Sequence, residues 1–305
     1  MLVKSPITNS NNVVLERTLS AGEIIVSYAK AYNIDISNIF KGVDLIYIYK
    51  CLDTGYRFYY PFHISGDGNF YSQLQKFDWY YMPWKWEHEI AKKIIRQNER
   101  VLEIGCAKGD FIRELSETGV SCLGLELNNA AIKEGVAKGV NILNESIQDH
   151  AKNRQLFYDV VCSFQVAEHV ADVRSFIQSS VDALKPGGRL IISVPNMTSF
   201  YKFFEQTNMN VPPHHMGLWD EESLKTLESF FSIKFLKYYF EPLQTYHVEL
   251  YASVMANKYN IDKYSFIGKF IHRYLSQWYK FIGNRYGNKV KGLTMVAVFE
   301  KKQTN

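Results

Sequence analysis

The sequence has no long apolar run, no paired cysteines and no strong excess of one charge. No stretch approaches the roughly 18 apolar residues that a helix needs to cross a bilayer, and the first dozen residues lack the apolar core of a signal peptide. The four cysteines are scattered without a CxxC pair, which argues against a disulfide framework and against a zinc knuckle. These absences predict a cytoplasmic protein whose thiols are reduced.

Net charge is low, but it is unevenly distributed. The chain has 35 Lys and Arg against 31 Asp and Glu, and the resulting +4 does not call for a nucleic-acid partner. Between Asn257 and Lys302, however, ten basic and two acidic residues give a local charge of +8. Within this stretch, residues 266–289 carry apolar side chains at helical spacing. Such a helix packs on the domain, forms a dimer contact or lies on a membrane surface, and all three possibilities stay open.

The chain divides into an aromatic first part and a second part in which strands and helices alternate. Between Ile46 and Trp86, 15 of the 41 residues are Phe, Tyr or Trp. We expect most of these rings to form the core of a small N-terminal module, residues 1–85, and a few to line an acceptor surface, because aromatic faces stack on sugars. From residue 86 to 305, seven apolar strands with intervening helices predict an α/β domain built on a mostly parallel sheet.

Local patterns also predict where several elements begin and end. The first dozen residues are polar and are expected to be loose. A helix is predicted from Ser20 to Ala31, and a charged helix from Lys85 to Asn98. A third helix, which begins at Asp172, is expected to end in the Pro-Gly-Gly sequence at 186–188.

The clearest functional signal is an apolar strand that ends in an acidic residue and a glycine loop. Glu103 lies in this strand, and Gly105 and Gly109 follow it. Glycines without Cβ atoms let a ligand approach the backbone, and ligands of open α/β sheets bind at the carboxyl ends of the strands. Glu126 ends the next strand, where a carboxylate can accept hydrogen bonds from both hydroxyls of a ribose. The pattern predicts a nucleoside-containing cofactor.

From about Trp86 to Phe299 these features resemble the class I S-adenosylmethionine-dependent methyltransferases, in particular those of bacterial glycan and secondary-metabolite gene clusters. The resemblance rests on five segments in the right order, and Ala107 stands where a third glycine is common. It implies a Rossmann-like, doubly wound, seven-stranded sheet, S-adenosylmethionine as the cofactor, and methyl transfer to a sugar, glycolipid or small-metabolite hydroxyl. The residues that it places at the cofactor are Glu103, Gly105, Cys106, Ala107, Gly109, Glu126, Leu127, Ile147, Gln148 and Gln165.

Two histidine-containing loops are expected to converge over the methyl donor. Glu168 and His169 follow the fourth strand, and His214 and His215 lie after the fifth. A neutral histidine can take the proton of an attacking hydroxyl. We rank His215 and His214 ahead of His169 as the catalytic base, and the alternative for each is a histidine that only hydrogen-bonds its loop.

A metal site is not predicted. Relatives that bind a divalent ion, such as the ubiquinone-pathway O-methyltransferases, resemble this loop with a Glu-x-x-Glu-His sequence. Here Gln165 replaces the first carboxylate, which removes one anionic oxygen from such a site. An acidic cap at a helix N-terminus explains Glu168 without a metal. The N-terminal extension resembles that of the glycan-cluster enzymes, but Cys51 lacks the second cysteine that a knuckle would need.

Other functions remain as alternatives. A nicotinamide dehydrogenase would show G-x-G-x-x-G, whereas residue 107 is alanine and no glycine lies three positions after it. A methyltransferase-like scaffold would bind the cofactor without turnover. Methylation of nitrogen, carbon or RNA is the alternative within the enzyme class, and RNA would require a contiguous basic groove near the site.

Overall fold

The computed structural model describes residues 3–77, 80, 82–204, 207–259, 261 and 265–303. In this part of the chain the strands are β1 (Val13–Ser20), β2 (Leu45–Cys51), β3 (Arg57–Tyr60), β4 (Arg100–Ile104), β5 (Ser121–Leu125), β6 (Ile142–Leu143), β7 (Tyr158–Phe164), β8 (Leu184–Pro195), β9 (Gly217–Leu218), β10 (Ile233–Pro242) and β11 (Lys291–Lys301). The helices are α1 (Ala21–Tyr32), α2 (Gly68–Leu74), α3 (Trp86–Ile94), α4 (Asp110–Glu117), α5 (Asn129–Ala137), α6 (Ile147–Asn153), α7 (Val173–Ala183), α8 (Glu221–Lys225), α9 (Leu227–Phe230), α10 (Val248–Asn257) and α11 (Phe266–Tyr286).

Seven strands form one sheet in the order β10-β11-β8-β7-β4-β5-β6. β4, β5, β6, β7 and β8 run parallel, and β11 is antiparallel to both β8 and β10. The predicted seven-stranded, mostly parallel sheet is therefore confirmed. Chain order reverses between β4 and β7, because β4 continues to β5 on one side while β7 continues to β8 on the other. Ligands of open α/β sheets bind in the crevice that such a reversal opens.

Both faces of the sheet are covered, as a doubly wound fold requires. Leu102 and Val161 face a core that includes Ile147 of α6 and Phe176 of α7. Their sequence neighbours face the opposite side, in a core shared with α3 and α4 that includes Val101, Cys162, Ala91 and Phe111. Side chains of a strand alternate between the two faces of a sheet, so continuous apolar runs such as residues 158–164 fit strands buried on both sides.

A second, antiparallel sheet has the order β1-β2-β3-β9. Tyr59 and Phe70 of the aromatic stretch are buried on this sheet, whereas Tyr56 and Phe58 are buried in the core of the larger sheet. The prediction that most of these rings form the core of a separate N-terminal module therefore holds for only part of them. Trp79 and Tyr81, two further residues of the aromatic stretch, lie outside the described residues. β9 comes from the segment after β8 and pairs with β3, so the second sheet includes residues from both predicted domains.

Three element predictions differ from the structure. Residues 13–20 form β1 directly after the polar start, and within that start Ser5 and Asn9 are joined by a backbone hydrogen bond of 2.9 Å. α3 ends at Ile94, because the following residues form a turn in which the Glu99 carboxylate accepts the Arg96 N–H at 2.7 Å. The Pro-Gly-Gly sequence lies within β8, which already begins at Leu184.

None of the helices in the described ranges combines the length and the apolar character that a bilayer crossing requires.

Candidate active site

The loop between β4 and α4 is shaped by two glycines that no other residue can replace without a shift. Gly105 has φ +70° and Gly109 has φ +74°, in the left-handed region. A Cβ atom at Gly105 would lie 2.5 Å from Val166 Cγ2, and one at Gly109 would lie 2.6 Å from Val140 Cγ1. Ala107, at the position of the expected third glycine, also has a positive φ of +48°.

Glu126 joins this loop to the tip of β5. Its carboxylate accepts the backbone N–H groups of Ala107 at 2.9 Å, Leu127 at 2.8 Å and Asn128 at 2.8 Å. Two of these bonds go to Oε1 and one to Oε2, so of the four lone pairs of the carboxylate one, on Oε2, is left to accept a hydrogen bond from a ligand. The local turn thus fixes an anion at the rim of the crevice.

The larger of two adjoining cavities lies beside Glu126 and has a volume of about 500 Å³. Of the residues predicted from the sequence, it is lined by Gly105, Glu126, Leu127, Ile147, Gln148, Gln165 and His169. The N-terminal part of the chain also lines this cavity, through residues 65–68 and Tyr71. The volume is within the range of about 300–1,000 Å³ that is usual for small-molecule sites.

The smaller cavity has a volume of about 230 Å³ and lies toward the histidine loops. It shares Tyr80, Gly105, Gln165 and His169 with the larger one, so the two form a continuous system. The other predicted residues that line it are Glu103, Cys106, Ala107, His214 and His215. Gly109 lines neither cavity. It lies at the N-cap of α4, where its left-handed conformation turns the loop into the helix.

Glu103 brings a buried carboxylate to the small cavity. It is 4% exposed, and its Oε2 has no hydrogen-bond partner among the described residues. Burial, with a smaller contribution from the negative charge of Glu126, raises the pKa of Glu103 to about 8. A cationic group in this cavity would favour the ionised carboxylate and would compensate its desolvation.

The three predicted catalytic histidines form one cluster. Ring centroids are 4.5 Å apart for His169 and His214, 4.8 Å for His169 and His215, and 4.6 Å for His214 and His215. The two loops are joined through the backbone, because the Glu168 carbonyl accepts the N–H groups of Met216 and Gly217 at 2.7 and 3.0 Å. The sequence predicts that the two loops converge, and these hydrogen bonds hold them together.

Hydrogen bonding fixes the tautomer of all three rings. The Nδ1 of His169 lies 2.5 Å from the His214 carbonyl, and the Nδ1 of His214 lies 2.8 Å from the Met209 carbonyl. The Nδ1 of His215 lies 2.9 Å from Asn210 Oδ1. Since these oxygens only accept, each Nδ1 carries the proton and each neutral ring has its lone pair on Nε2.

The three Nε2 atoms differ in what they contact. The Tyr80 hydroxyl donates to Nε2 of His214 at 2.9 Å. Among the described residues, no hydrogen-bond partner is found for Nε2 of His215. His215 therefore presents an open proton-accepting atom to the small cavity, while that of His214 is engaged.

Burial dominates the electrostatics of the cluster. It lowers the pKa of His169 to about 4 and holds the pKa values of His214 and His215 well below 6.5. Burial also raises the pKa of Glu168 to about 8, and neither of its oxygens has a hydrogen-bond partner in the described ranges. Nε2 of His169 is 3.9 Å from Glu168 Oε1. At neutral pH the histidines are therefore uncharged.

The same side chains fit a divalent metal ion, although the sequence predicts none. One nitrogen of each of the three histidines lies within 4.8 Å of the others. Metal-binding histidines typically donate their second N–H to a carbonyl or carboxylate oxygen, which is the arrangement at all three rings. The unpartnered carboxylate of Glu168 adds an anionic oxygen. Gln165, which replaces the missing carboxylate, has φ +55°, and its amide donates to Ser193 Oγ at 3.3 Å.

Sequence reasoning missed several residues of the cavity walls. Lys85 lines the small cavity, and its positive charge opposes the rise in the pKa values of Glu103 and Glu168. Tyr71 and Tyr80 line the cavities from the aromatic stretch, where clustering of rings was the available signal. Lys85 gives no such signal, because a single lysine before a helix is unremarkable in a sequence.

Comparison with known proteins identifies the family. Residues 79–231, half of the chain, match the family described as a methyltransferase domain. Among curated proteins, the ubiquinone biosynthesis O-methyltransferase of Pectobacterium carotovorum is 31% identical over 106 residues, which are 32% of this chain and 44% of that protein. The corresponding protein of Vibrio vulnificus is 27% identical over 120 residues, which are 37% of this chain and 51% of that protein. The chain thus spans about half or less of the length of the curated relatives that it matches.

Among solved structures, a SAM-dependent methyltransferase from Archaeoglobus fulgidus is 20% identical, with a TM-score of 0.49 and coverage of 70% of this chain and 92% of that one. The family match covers the loop after β4, the tip of β5 and both histidine loops. The chain belongs to the methyltransferase domain family.

Proposed function

We propose that the protein transfers the methyl group of S-adenosylmethionine to a hydroxyl oxygen of a sugar, glycolipid or other small metabolite. The observation that carries this proposal is the open Nε2 atom of His215 in a buried, uncharged histidine cluster that lines the cavity next to the glycine loop. A hydroxyl must lose its proton as it attacks, whereas a neutral amine is already nucleophilic.

The proposed reaction is a direct displacement. The acceptor oxygen attacks the methyl carbon, the new C–O bond forms as the S–C bond breaks, and S-adenosylhomocysteine leaves with the S–C electron pair. The hydroxyl proton passes to Nε2 of His215. The main contribution of the site is orientation, since the oxygen must lie in line with the bond that breaks. His214 is held by Tyr80 and Met209, which suits a residue that supports the cluster.

The cofactor is proposed to lie across both cavities. Glu126 would accept a hydrogen bond from a ribose hydroxyl through the free lone pair of Oε2, and residues 105–108, which line the smaller cavity, would border the methionine end. The Glu103 carboxylate would face the positively charged ammonium group at the methionine end of the cofactor. Leu127, Ile147 and Gln148 would contact adenine, since they line the larger cavity beyond Glu126.

Two further observations support oxygen and a sugar-like acceptor. The curated relatives carry the name O-methyltransferase, although at low identity and over part of their length. Tyr71 and Tyr80 border the cavity system next to the histidines, and aromatic faces provide apolar surface on which sugar rings stack.

A second candidate mechanism uses a divalent metal ion, which the donor set of the cluster favours. His169, His214, His215 and Glu168 would hold it. Such an ion acts as a Lewis acid that acidifies a bound hydroxyl. The two mechanisms are distinguished by chelation, because a base mechanism keeps its rate after dialysis against a chelator. Loss of activity that added metal restores, together with metal found by elemental analysis, would favour the second.

The experiment that tests the proposal combines calorimetry with an acceptor screen. S-adenosylhomocysteine should bind the wild type, and Glu126→Ala should bind it at least about tenfold more weakly, because one hydrogen bond to a charged group is lost at about 1.5 kcal/mol or more. Glu117→Ala, a substitution at an exposed position of α4, is the matched control. Hydroxyl acceptors incubated with S-adenosylmethionine should gain the mass of one CH2 group.

Three outcomes would contradict the proposal. If the wild type does not bind S-adenosylhomocysteine, the proposed methyltransferase activity is excluded. Binding without product in a broad screen of hydroxyl acceptors would favour a scaffold. Products formed only from amines, carbon acids or RNA would move the reaction away from oxygen.

A further inference from the structure

Helix α11 turns its large apolar side chains away from the protein. Its only buried residues are Gly268 and Gly283. Six of its large apolar residues are more than half exposed, with exposed fractions that reach 88% for Phe266: Phe266, Ile267, Phe270, Tyr274, Trp278 and Phe281. An ordinary surface helix buries such residues and exposes polar ones. The outer side of α11 is therefore an apolar surface that is suited to binding.

The helical period separates α11 into three faces. The inner face carries the glycines and packs on α10, where a Cβ atom at Gly283 would lie 3.0 Å from Val248 Cγ1. At 3.6 residues per turn, the six exposed apolar residues fall on one continuous arc of the outer side. Lys269, Arg273 and Lys280 fall on a narrow strip between this arc and the inner face. Apolar and basic faces thus run side by side along the helix.

Charge on this segment has one sign. Residues 266–289 contain five Lys and Arg and no Asp or Glu. Lys280 forms an ion pair with Glu249 of α10. The basic strip lies next to the exposed rings, which is the distribution of amphipathic helices that lie in the interface of anionic membranes. Aromatic side chains are also favoured at the level of the lipid head groups.

The sheet topology places α11 at the same edge as the active site. The segment with α10 and α11 leaves β10 at Pro242 and enters β11 at Lys291. Thr294 of β11 pairs with Pro195, the last residue of β8. Because β8 runs parallel to β4, this is the edge at which the glycine loop follows β4.

We propose that α11 binds in the plane of an anionic phospholipid bilayer, with its aromatic arc in the interface and its basic strip against the lipid phosphates. Charge complementarity favours this occupant over a second copy of the chain. A symmetric contact between two copies of α11 would bring two basic strips together, whereas an anionic surface attracts them. The inference does not depend on which acceptor is methylated.

Vesicle flotation of the full-length protein tests the proposal. Wild type should float with vesicles of phosphatidylcholine and phosphatidylglycerol and bind pure phosphatidylcholine at least tenfold less. Phe266→Glu with Phe270→Glu should reduce binding to the mixed vesicles at least tenfold. Val26→Glu, an apolar-to-acidic change at a 66% exposed site of α1, should leave it unchanged. Binding of S-adenosylhomocysteine by each variant checks that it is folded.

A charge-reversal variant separates the two components of binding. Lys269→Glu with Arg273→Glu should remove most of the preference for anionic vesicles, and added salt should do the same to wild type. The proposal is overturned if wild type does not float, if it binds both vesicle types equally, or if the phenylalanine variant still floats. A dimer in light scattering that the phenylalanine variant loses, without flotation of wild type, would assign α11 to self-association.

Discussion

The two halves of the cavity system are built differently. The half beside Glu126 depends on two short segments, the loop at 103–109 and the turn at 126–128, which are joined by the hydrogen bond from the Ala107 N–H to the Glu126 carboxylate. The half around His215 combines residues 165–169, the loop at 209–216 and Tyr80 from the N-terminal part. The first half is thus fixed by local backbone conformation, and the second by contacts between distant segments. We expect substitutions in the first half to change stability and cofactor affinity, and substitutions in the second half to change the methyl-transfer rate.

The largest expected effect is that of Gly105→Ala, which tests how rigidly the first half is built. A left-handed alanine costs about 1–2 kcal/mol, and its Cβ atom would lie 2.5 Å from Val166, an overlap that costs about 1–3 kcal/mol more. Gly139→Ala is the matched control, because Gly139 has φ +78° with no atom within 4 Å of a Cβ position. Denaturant unfolding should show a loss of about 3 kcal/mol for Gly105→Ala and about 1 kcal/mol for the control.

Cofactor binding completes this test. Gly105→Ala should also weaken binding of S-adenosylhomocysteine at least tenfold, and Gly139→Ala should leave it unchanged. Equal stability losses in the two variants would show that the contact with Val166 relaxes at no cost, and that only the left-handed conformation matters.

The next effect is that of His215→Ala, which addresses the second half alone. Loss of the proposed proton acceptor should lower the methyl-transfer rate at least tenfold, while the affinity for S-adenosylhomocysteine changes by less than about twofold. His63→Ala, at an exposed histidine outside both cavities, is the control. An unchanged rate in His215→Ala would remove this residue from the mechanism. A parallel loss of cofactor affinity would show that the two halves are coupled.

The same division explains how much of the site the sequence predicts. A strand that ends in acid and glycine is a local pattern, so the loop after β4 and Glu126 are found from the sequence. The seven strands, and the parallel direction of most of them, follow from apolar runs separated by helices. The tautomers of the histidines could not be predicted, because they depend on carbonyl groups of Met209 and His214 whose direction only the folded loop defines.

The N-terminal part shows most clearly what local sequence patterns do not predict. Its rings were expected to form the core of a separate module, but they are divided between the core of the second sheet and the cores of the larger one. Nothing in the local pattern at 217–218 predicts that these residues leave the α/β domain and pair with β3 as β9. Two-residue strands have no periodicity to detect. Yet the residue just before β9, Met216, donates its N–H to the Glu168 carbonyl and so holds the loop of His215 next to Glu168.

A smaller effect is expected from pH, through Glu103. Burial raises its pKa to about 8 in the free protein, so the carboxyl is largely protonated at pH 6.5. A ligand with an ammonium group favours the ionised form, so affinity for S-adenosylhomocysteine should rise severalfold from pH 6.5 to 8.5. Glu103→Gln should bind more weakly and lose this dependence. Calorimetry in buffers of different ionisation enthalpy would detect the proton that wild type releases on binding below pH 8.

Stability of the free protein should show the opposite trend. A carboxyl whose folded pKa is raised binds its proton more tightly in the folded state, so wild type loses stability as the pH rises from about 4.5 through 8. Glu103→Gln lacks this loss, and its Tm should exceed that of wild type more at pH 8.5 than at pH 5. A constant difference in Tm across this range would mean that Glu103 is ionised in the folded protein throughout.

The smallest effect is expected at Ala107, and it decides whether the loop needs a side chain there. Ala107 has φ +48°, and its N–H donates to Glu126. Glycine would relieve about 1 kcal/mol of left-handed strain, but it adds about 0.4–1 kcal/mol of chain entropy to the unfolded state. Ala107→Gly should therefore leave the free energy of unfolding within about 0.5 kcal/mol and the affinity for S-adenosylhomocysteine within about twofold. A tenfold loss of affinity at unchanged stability would mean that the methyl group of Ala107 itself contacts the cofactor, and the first half would then depend on a side chain as well as on backbone.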